Sequence, residues 1–165
     1  MKKEVAKMLI SEAAPAFSVK DVKGNTVSLA DFKGKVIVLD FWATWCGPCK
    51  KSFPAMQRAV DKYSKDPNVK FLFIHTWERS ETPQRDAQEY LSQNKYRFDL
   101  YMDTKDAATR KNNAVSAFGV KGIPAKFVID AEGNIRFRMT GFSGGDDVAV
   151  EELSAMIELA AKKAS

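Results

Sequence analysis

The stretch VIVLDFWATWCGPCK, residues 36–50, decides how the rest of this chain reads. Its first eight residues are apolar almost without alternation, with Asp40 the one exception. A half-exposed strand alternates, so such a run predicts a central strand covered on both faces. Directly after it, Trp45-Cys46-Gly47-Pro48-Cys49-Lys50 opens a helix expected over residues 46–64. Pro48 suits the first helical turn, where its missing N–H costs nothing, and Pro54 further on kinks the helix. A helix N-terminus presents unpaired N–H groups and a positive dipole end, and both stabilise a thiolate. Cys46 is therefore expected to be exposed, nucleophilic and of lowered pKa, with Lys50 and Lys51 adding positive charge. Cys49, one turn in, is expected to be shielded yet close enough to form a disulfide.

These are the only two cysteines, and they sit three positions apart. A structural disulfide normally closes a longer loop, because a small loop constrains the unfolded chain less. A zinc site needs about four ligands, and there is no second cysteine pair and only one histidine, His75. No metal site is expected. Two inert buried cysteines are the plain alternative, but the strand before the pair, the helix after it and the flanking tryptophans favour a redox-active dithiol.

Working outward, 165 residues suit one domain with a sizeable core. Residues 1–12 read as an N-terminal extension and 13–165 as the domain. Residues 17–29 predict a hairpin, FSVKDV and TVSL around a turn at Lys23-Gly24-Asn25. Asp66-Pro67-Asn68 precedes a second strand over 69–76, and helices are expected over 81–94 and 107–118. AKFVID and NIRFRMT read as two strands joined by Ala131-Glu132-Gly133. The last helix is marked by Ser143 three residues before Asp146, by Asp147, Glu151 and Glu152 in its first turns, and by Lys162-Lys163 at its end. Strands alternating with helices indicate an α/β sandwich with a mixed sheet.

Composition narrows the partners. The net charge of +5 is spread along the chain without a basic arm, so nucleic-acid binding is not expected. No apolar run approaches the ~20 residues of a membrane span. The N-terminal apolar stretch is interrupted by Lys7 and is too short and polar for a signal-peptide core. The chain is thus expected to be cytoplasmic, or a mature chain whose leader has been removed.

Asp40 lies inside the apolar strand. Burial there disfavours its charged form and raises its pKa, and a buried acid needs a partner or a task. The expected task is proton relay to and from Cys49; the alternative is an acid at a strand edge facing water. Trp42 is expected in the core, and His75, in an apolar strand, as a satisfied structural residue.

FWATWCGPCK resembles the active-site segment of thioredoxins, and distant positions agree. Asp40 stands where thioredoxins keep a buried acid, Pro54 matches their helix-kinking proline, and Gly122-Ile123-Pro124 matches their cis-proline loop. Gly141, with Phe142 beside it, matches a glycine bordering the substrate groove. APAFSVKDVKGNTVSLADFKGK, together with an added segment between the second strand and the cis-proline loop, is similar to the TlpA/ResA-like branch; the likeness spans residues 13–160. It implies a thioredoxin-like three-layer sandwich with a mixed central sheet, helices on both faces, an N-terminal hairpin extension and a central insertion. It also places Glu78 near the dithiol as a second proton handler, with an ordinary exposed Glu78-Arg79 pair as the alternative. Ser52, where many members carry an acid, is a departure that touches a surface detail.

The activity the resemblance implies is thiol–disulfide exchange. Cys46 attacks a partner's disulfide, and Cys49 resolves the mixed disulfide. Gly47-Pro48 matches the reducing members. Trp45, Gly47, Pro48, Ile123, Pro124 and Phe142, with Trp77 nearby, would form the substrate surface. Ile123 would pair its backbone with an extended chain. No bound cofactor is expected beyond the redox-active Cys46–Cys49 disulfide. The partners would be protein dithiols and disulfides and an upstream dithiol reductant, the protein a monomer, and the compartment periplasmic or otherwise extracytoplasmic, as for the family's tethered or fused members. Two other activities compete. A peroxiredoxin-like peroxidase would need a threonine where Ala43 stands, and a thiol-based copper metallochaperone would have to use His75.

Overall fold

The computed structural model describes residues 2–142 and 144–162. An eight-stranded mixed sheet runs through it. In chain order the strands are β1 (Glu12–Ala13), β2 (Ser18–Asp21), β3 (Thr26–Ser28), β4 (Val36–Trp42), β5 (Val69–His75), β6 (Leu100–Met102), β7 (Ala125–Ile129) and β8 (Asn134–Met139). The helices are α1 (Lys2–Ala6), α2 (Gly47–Lys51), α3 (Phe53–Lys62), α4 (Pro83–Gln93), α5 (Asn113–Ala117) and α6 (Asp146–Ala161). The strand order is β1-β8-β7-β4-β5-β6-β2-β3. β4 thus lies at the centre, parallel to β5 and antiparallel to β7.

Every residue of β4 is buried, as its unbroken apolar run requires. Its alternate side chains feed two cores. Val36, Val38 and Trp42 join Phe53 and Met56 of α3, Leu91 of α4 and Leu153 and Met156 of α6. Ile37, Leu39 and Phe41 meet Phe17, Val19, Phe127 and Val115 of α5 on the other face. This is the three-layer thioredoxin-like sandwich with helices on both faces. Residues 2–12 lie against the same body: Val5 is buried beside α6, and the Ile10 N–H donates to the Arg136 carbonyl.

The hairpin of β2 and β3 forms as expected and docks through β2 onto β6. Gly24 turns it at φ +85°, a left-handed conformation that glycine adopts without a Cβ clash. The helix expected over 46–64 is two helices with a break at Ser52. Pro54 has no N–H to return to the Lys50 carbonyl, so the helical ladder is interrupted there. The helix expected over 107–118 shrinks to α5. Asp106 Oδ1 takes the N–H groups of Ala108 and Thr109, and Arg110 turns at φ +62°, so residues 107–110 form a turn. Helix α6 begins after Gly145 rather than from a cap at Ser143; Ser143 and Lys163, both used to mark its ends, lie outside the described residues.

Candidate active site

The two cysteines stand where β4 gives way to α2. Cys46 is the N-cap of α2, and its Sγ accepts the Cys49 N–H at 3.2 Å. The two form a disulfide. One expectation is corrected here: in this oxidised state Cys46 is only 3% exposed, against 0% for Cys49. The bond to Cys49 turns the Cys46 sulfur inward over its own helix, so the exposed attacker of the sequence reading is covered. The exposed neighbour is Trp45, at 39%.

Below the disulfide lies a charged floor. Register places Asp40 of β4 opposite Lys126 of β7, and both side chains are fully buried. Lys126 Nζ donates to Asp40 Oδ2 at 3.0 Å and to Ser52 Oγ at 3.1 Å. The Ser52 hydroxyl in turn donates to the Cys49 carbonyl at 2.8 Å. Burial raises the Asp40 pKa, with the Lys126 charge and hydrogen bond pulling against it. Asp40 Oδ1 has no hydrogen-bond partner among the described residues. Asp40 is therefore an interior acid, not a strand-edge one. Lys126 and Ser52 were missed: a lysine interrupting the apolar AKFVID run was the available signal, and Ser52 is a half-buried link between Lys126 and the Cys49 carbonyl rather than a surface detail.

Beside the disulfide stands a wall built from the turn after β5. Glu78 Oε2 accepts the Thr44 hydroxyl at 3.0 Å and lies 2.7 Å from His75 Nε2, close enough for an ion pair but without the alignment of a hydrogen bond. Glu78 Oε1 accepts the Arg79 N–H at 2.7 Å. Trp77 sits at φ +51°, and its carbonyl accepts the Trp45 indole N–H at 2.8 Å. The Arg79 guanidinium lies over the Trp45 ring, 4.2 Å from its centroid. Burial lowers the His75 pKa, against the opposing pull of Glu78 and Asp86. Glu78 and Arg79 are thus not the ordinary exposed pair that was the alternative, and His75 is a buried residue of this wall. Trp42 packs in the core against Phe53, His75 and Tyr90.

On the open side, Pro48, Lys51, Ser52, Pro124, Gly141 and Phe142 line one groove of about 450 Å³. The Ile123–Pro124 peptide bond is cis. The expected substrate-side residues Pro48, Pro124 and Phe142 are therefore brought together. Ile123 packs between the two cores, and Trp45 and Gly47 stand exposed next to the cysteines. Among the described residues no group of three or more His, Cys, Asp or Glu side chains is gathered, and no helix is long and apolar enough to cross a membrane.

Comparison with known proteins agrees with this geometry. Residues 10–138 match the AhpC/TSA family model. The thiol-disulfide oxidoreductase ResA of Bacillus thuringiensis is 32% identical over 129 residues, 78% of this chain and 68% of that protein. A thiol:disulfide interchange protein from a Bacteroides species superposes with a TM-score of 0.71 at 27% identity, covering 90% of each chain. A thioredoxin-family thiol:disulfide interchange protein from Chlorobium tepidum gives 0.70 at 25% identity, covering 92% of this chain and 97% of its own.

Proposed function

The chain belongs to the AhpC/TSA thioredoxin-fold family and, within it, with the ResA-like thiol–disulfide oxidoreductases, and on that premise we propose that it reduces protein disulfides through Cys46. The observation that carries this reading is the Cys46–Cys49 disulfide at the start of α2, with Cys46 as its N-cap. In the reduced protein the Cys46 thiolate attacks one sulfur of a partner disulfide. A Cys46–partner disulfide forms and the partner's other sulfur leaves as a thiolate. The Cys49 thiolate then attacks Cys46 Sγ, the internal disulfide forms, and the second partner sulfur leaves as a thiolate that takes up a proton. An upstream protein dithiol returns the pair to the reduced state, with no bound cofactor.

Asp40 supports the second step. A carboxylate whose pKa is raised by burial, with one oxygen left free, can accept the Cys49 proton as that thiol becomes a nucleophile. Glu78 is less suited to the proton handling the resemblance implied, because Thr44, His75 and the Arg79 backbone occupy its carboxylate. We take the working unit as a monomer and its compartment as extracytoplasmic, the latter on the family resemblance.

The test is disulfide reduction by the dithiol-reduced protein, followed by partner trapping. Cys49→Ser should hold partners on Cys46 as mixed disulfides, whereas Cys46→Ser should hold none. Equal trapping by both variants would reverse the assigned roles, and consumption of hydrogen peroxide in place of disulfide would turn the reading to a peroxidase.

A further inference from the structure

Arg79 is the least explained charge near the dithiol. Its guanidinium carbon lies over the Trp45 ring, 4.2 Å from the centroid, and Trp45 directly precedes Cys46. No acid among the described residues lies within ion-pair distance of it. The nearest carboxylate in sequence, Glu78, is committed to Thr44, His75 and the Arg79 main chain. The position of Arg79 is nonetheless fixed. The Trp45 indole bonds back to Trp77, and Glu78 caps the Arg79 N–H, so ring and turn hold each other. Holding a cation on an aromatic face beside a reactive sulfur lowers the entropy lost when that cation meets an anion.

Two more cations border the cysteines without an ion-pair partner among the described residues. Lys51 lines the groove with Pro48, Pro124 and Phe142. Lys50 lies 5.4 Å from the Tyr90 ring centroid. The opposing acid in this groove is Asp146, at the start of α6; its neighbour Asp147 is paired with Arg58. The Trp45 side of the rim is therefore positive through Arg79 and Lys50, while on the groove side Lys51 faces Asp146.

Resting on the disulfide-reductase reading, we propose that Arg79, supported by Lys50 and Lys51, is a specificity-determining residue that selects protein substrates with carboxylates next to the target disulfide. An acidic segment entering the groove would meet Lys51 beside Pro124 and Arg79 on the Trp45 side. A basic segment would meet Arg79 and Lys50 as like charges on the Trp45 side, with Lys51 offset by Asp146 in the groove. The discrimination falls on encounter and binding, so it should be carried by KM and weaken with salt.

The experiment uses two peptides of equal length, each with one disulfide, flanked by glutamates in one and by lysines in the other. The reduced full-length chain should turn over the acidic peptide with kcat/KM about 5-fold higher at low salt, and added NaCl should shrink that ratio. Arg79→Gln should cut the ratio by about half or more. Arg79→Lys should keep only part of it, because an ammonium keeps the charge but loses the forked donor geometry that pairs with a carboxylate. Lys33→Gln, at the far end of β4, removes the same charge and should leave the ratio alone. A wild-type ratio near one, an unchanged ratio in Arg79→Gln, or an equal fall in Lys33→Gln would each overturn the proposal. Failure to reduce either peptide would instead remove the reductase reading on which it rests.

Discussion

The floor and the wall of the site are both built around one buried carboxylate, yet they are organised in opposite ways. On the floor, Asp40 meets a single full charge, Lys126, supplied by a strand 86 residues away, and keeps one oxygen free. At the wall, Glu78 meets the Thr44 hydroxyl from the end of β4 and, within its own turn, the His75 imidazole and the Arg79 amide, so both of its oxygens are engaged. A carboxylate with spare capacity over a raised pKa can exchange protons. One whose two oxygens are both engaged is better placed to hold other groups in position. On the proposed reading the same residue chemistry would serve transfer in one region and positioning in the other.

The largest expected effect breaks the floor. Lys126→Met leaves Asp40 buried without its countercharge and should cost about 3–5 kcal/mol in denaturant unfolding. Adding Asp40→Asn to that variant should recover most of the loss. A single-variant cost below about 1 kcal/mol would mean that the pair is not closed to water. Next, Asp40→Asn alone should slow resolution of the mixed disulfide about 100-fold at neutral pH, within the usual range for losing a positioned acid–base group. Its rate should also lose the rise that wild type shows as pH passes the elevated Asp40 pKa; stopped-flow rates across pH decide this, and a retained rise would assign the proton elsewhere.

Smaller effects probe the wall. Glu78→Ala should cost about 1–2 kcal/mol, because it strands the Thr44 and Arg79 donors, and Trp45 should become more accessible to a fluorescence quencher. Glu78→Gln retains an acceptor oxygen and should recover much of both; equal loss in the two variants would argue for a role of the charge itself. The smallest effect is in pH dependence. The folded-state pKa of His75 is depressed, so its contribution is present above about 6.5 and lost as pH falls through the lowered value, with Glu78 and Asp86 opposing that loss. For Asp40 the sign is opposite: the raised folded pKa makes its contribution complete below the usual carboxylate range and lost as pH rises through the elevated value. Wild type and His75→Gln should therefore converge in stability below pH 6.5, by up to about 1.4 kcal/mol per unit. Parallel curves would place the His75 titration outside that window.

What the sequence disclosed follows the range of each interaction. The central strand, the dithiol and the Pro48–Pro124 groove were legible because each is written in a short run or carried by the family resemblance. Lys126 was not, since nothing local says that β7 will lie antiparallel to β4 in the register that sets it against Asp40. Ser52 was hidden for a related reason: its partners are a helix carbonyl and a side chain 74 residues away. The helix over 107–118 misled because its composition is helical while Asp106 and Arg110 turn the backbone locally. Glu78 was placed near the dithiol by the family resemblance, but its contacts with Thr44 and His75 were not legible, because an imidazole three residues earlier in an apolar strand carries no sign of which way it points.

The near-complete covering of Cys46 in the oxidised protein has a consequence for traffic of electrons. A disulfide with almost no surface is poorly reached by small thiols diffusing in solution, since exchange requires in-line access to a sulfur. On the proposed reading, a partner protein laying its own chain along the groove of Pro48 and Pro124 would open that access. The oxidised state is thereby expected to be insulated: small thiols in bulk should reduce it more slowly than a docked protein dithiol does.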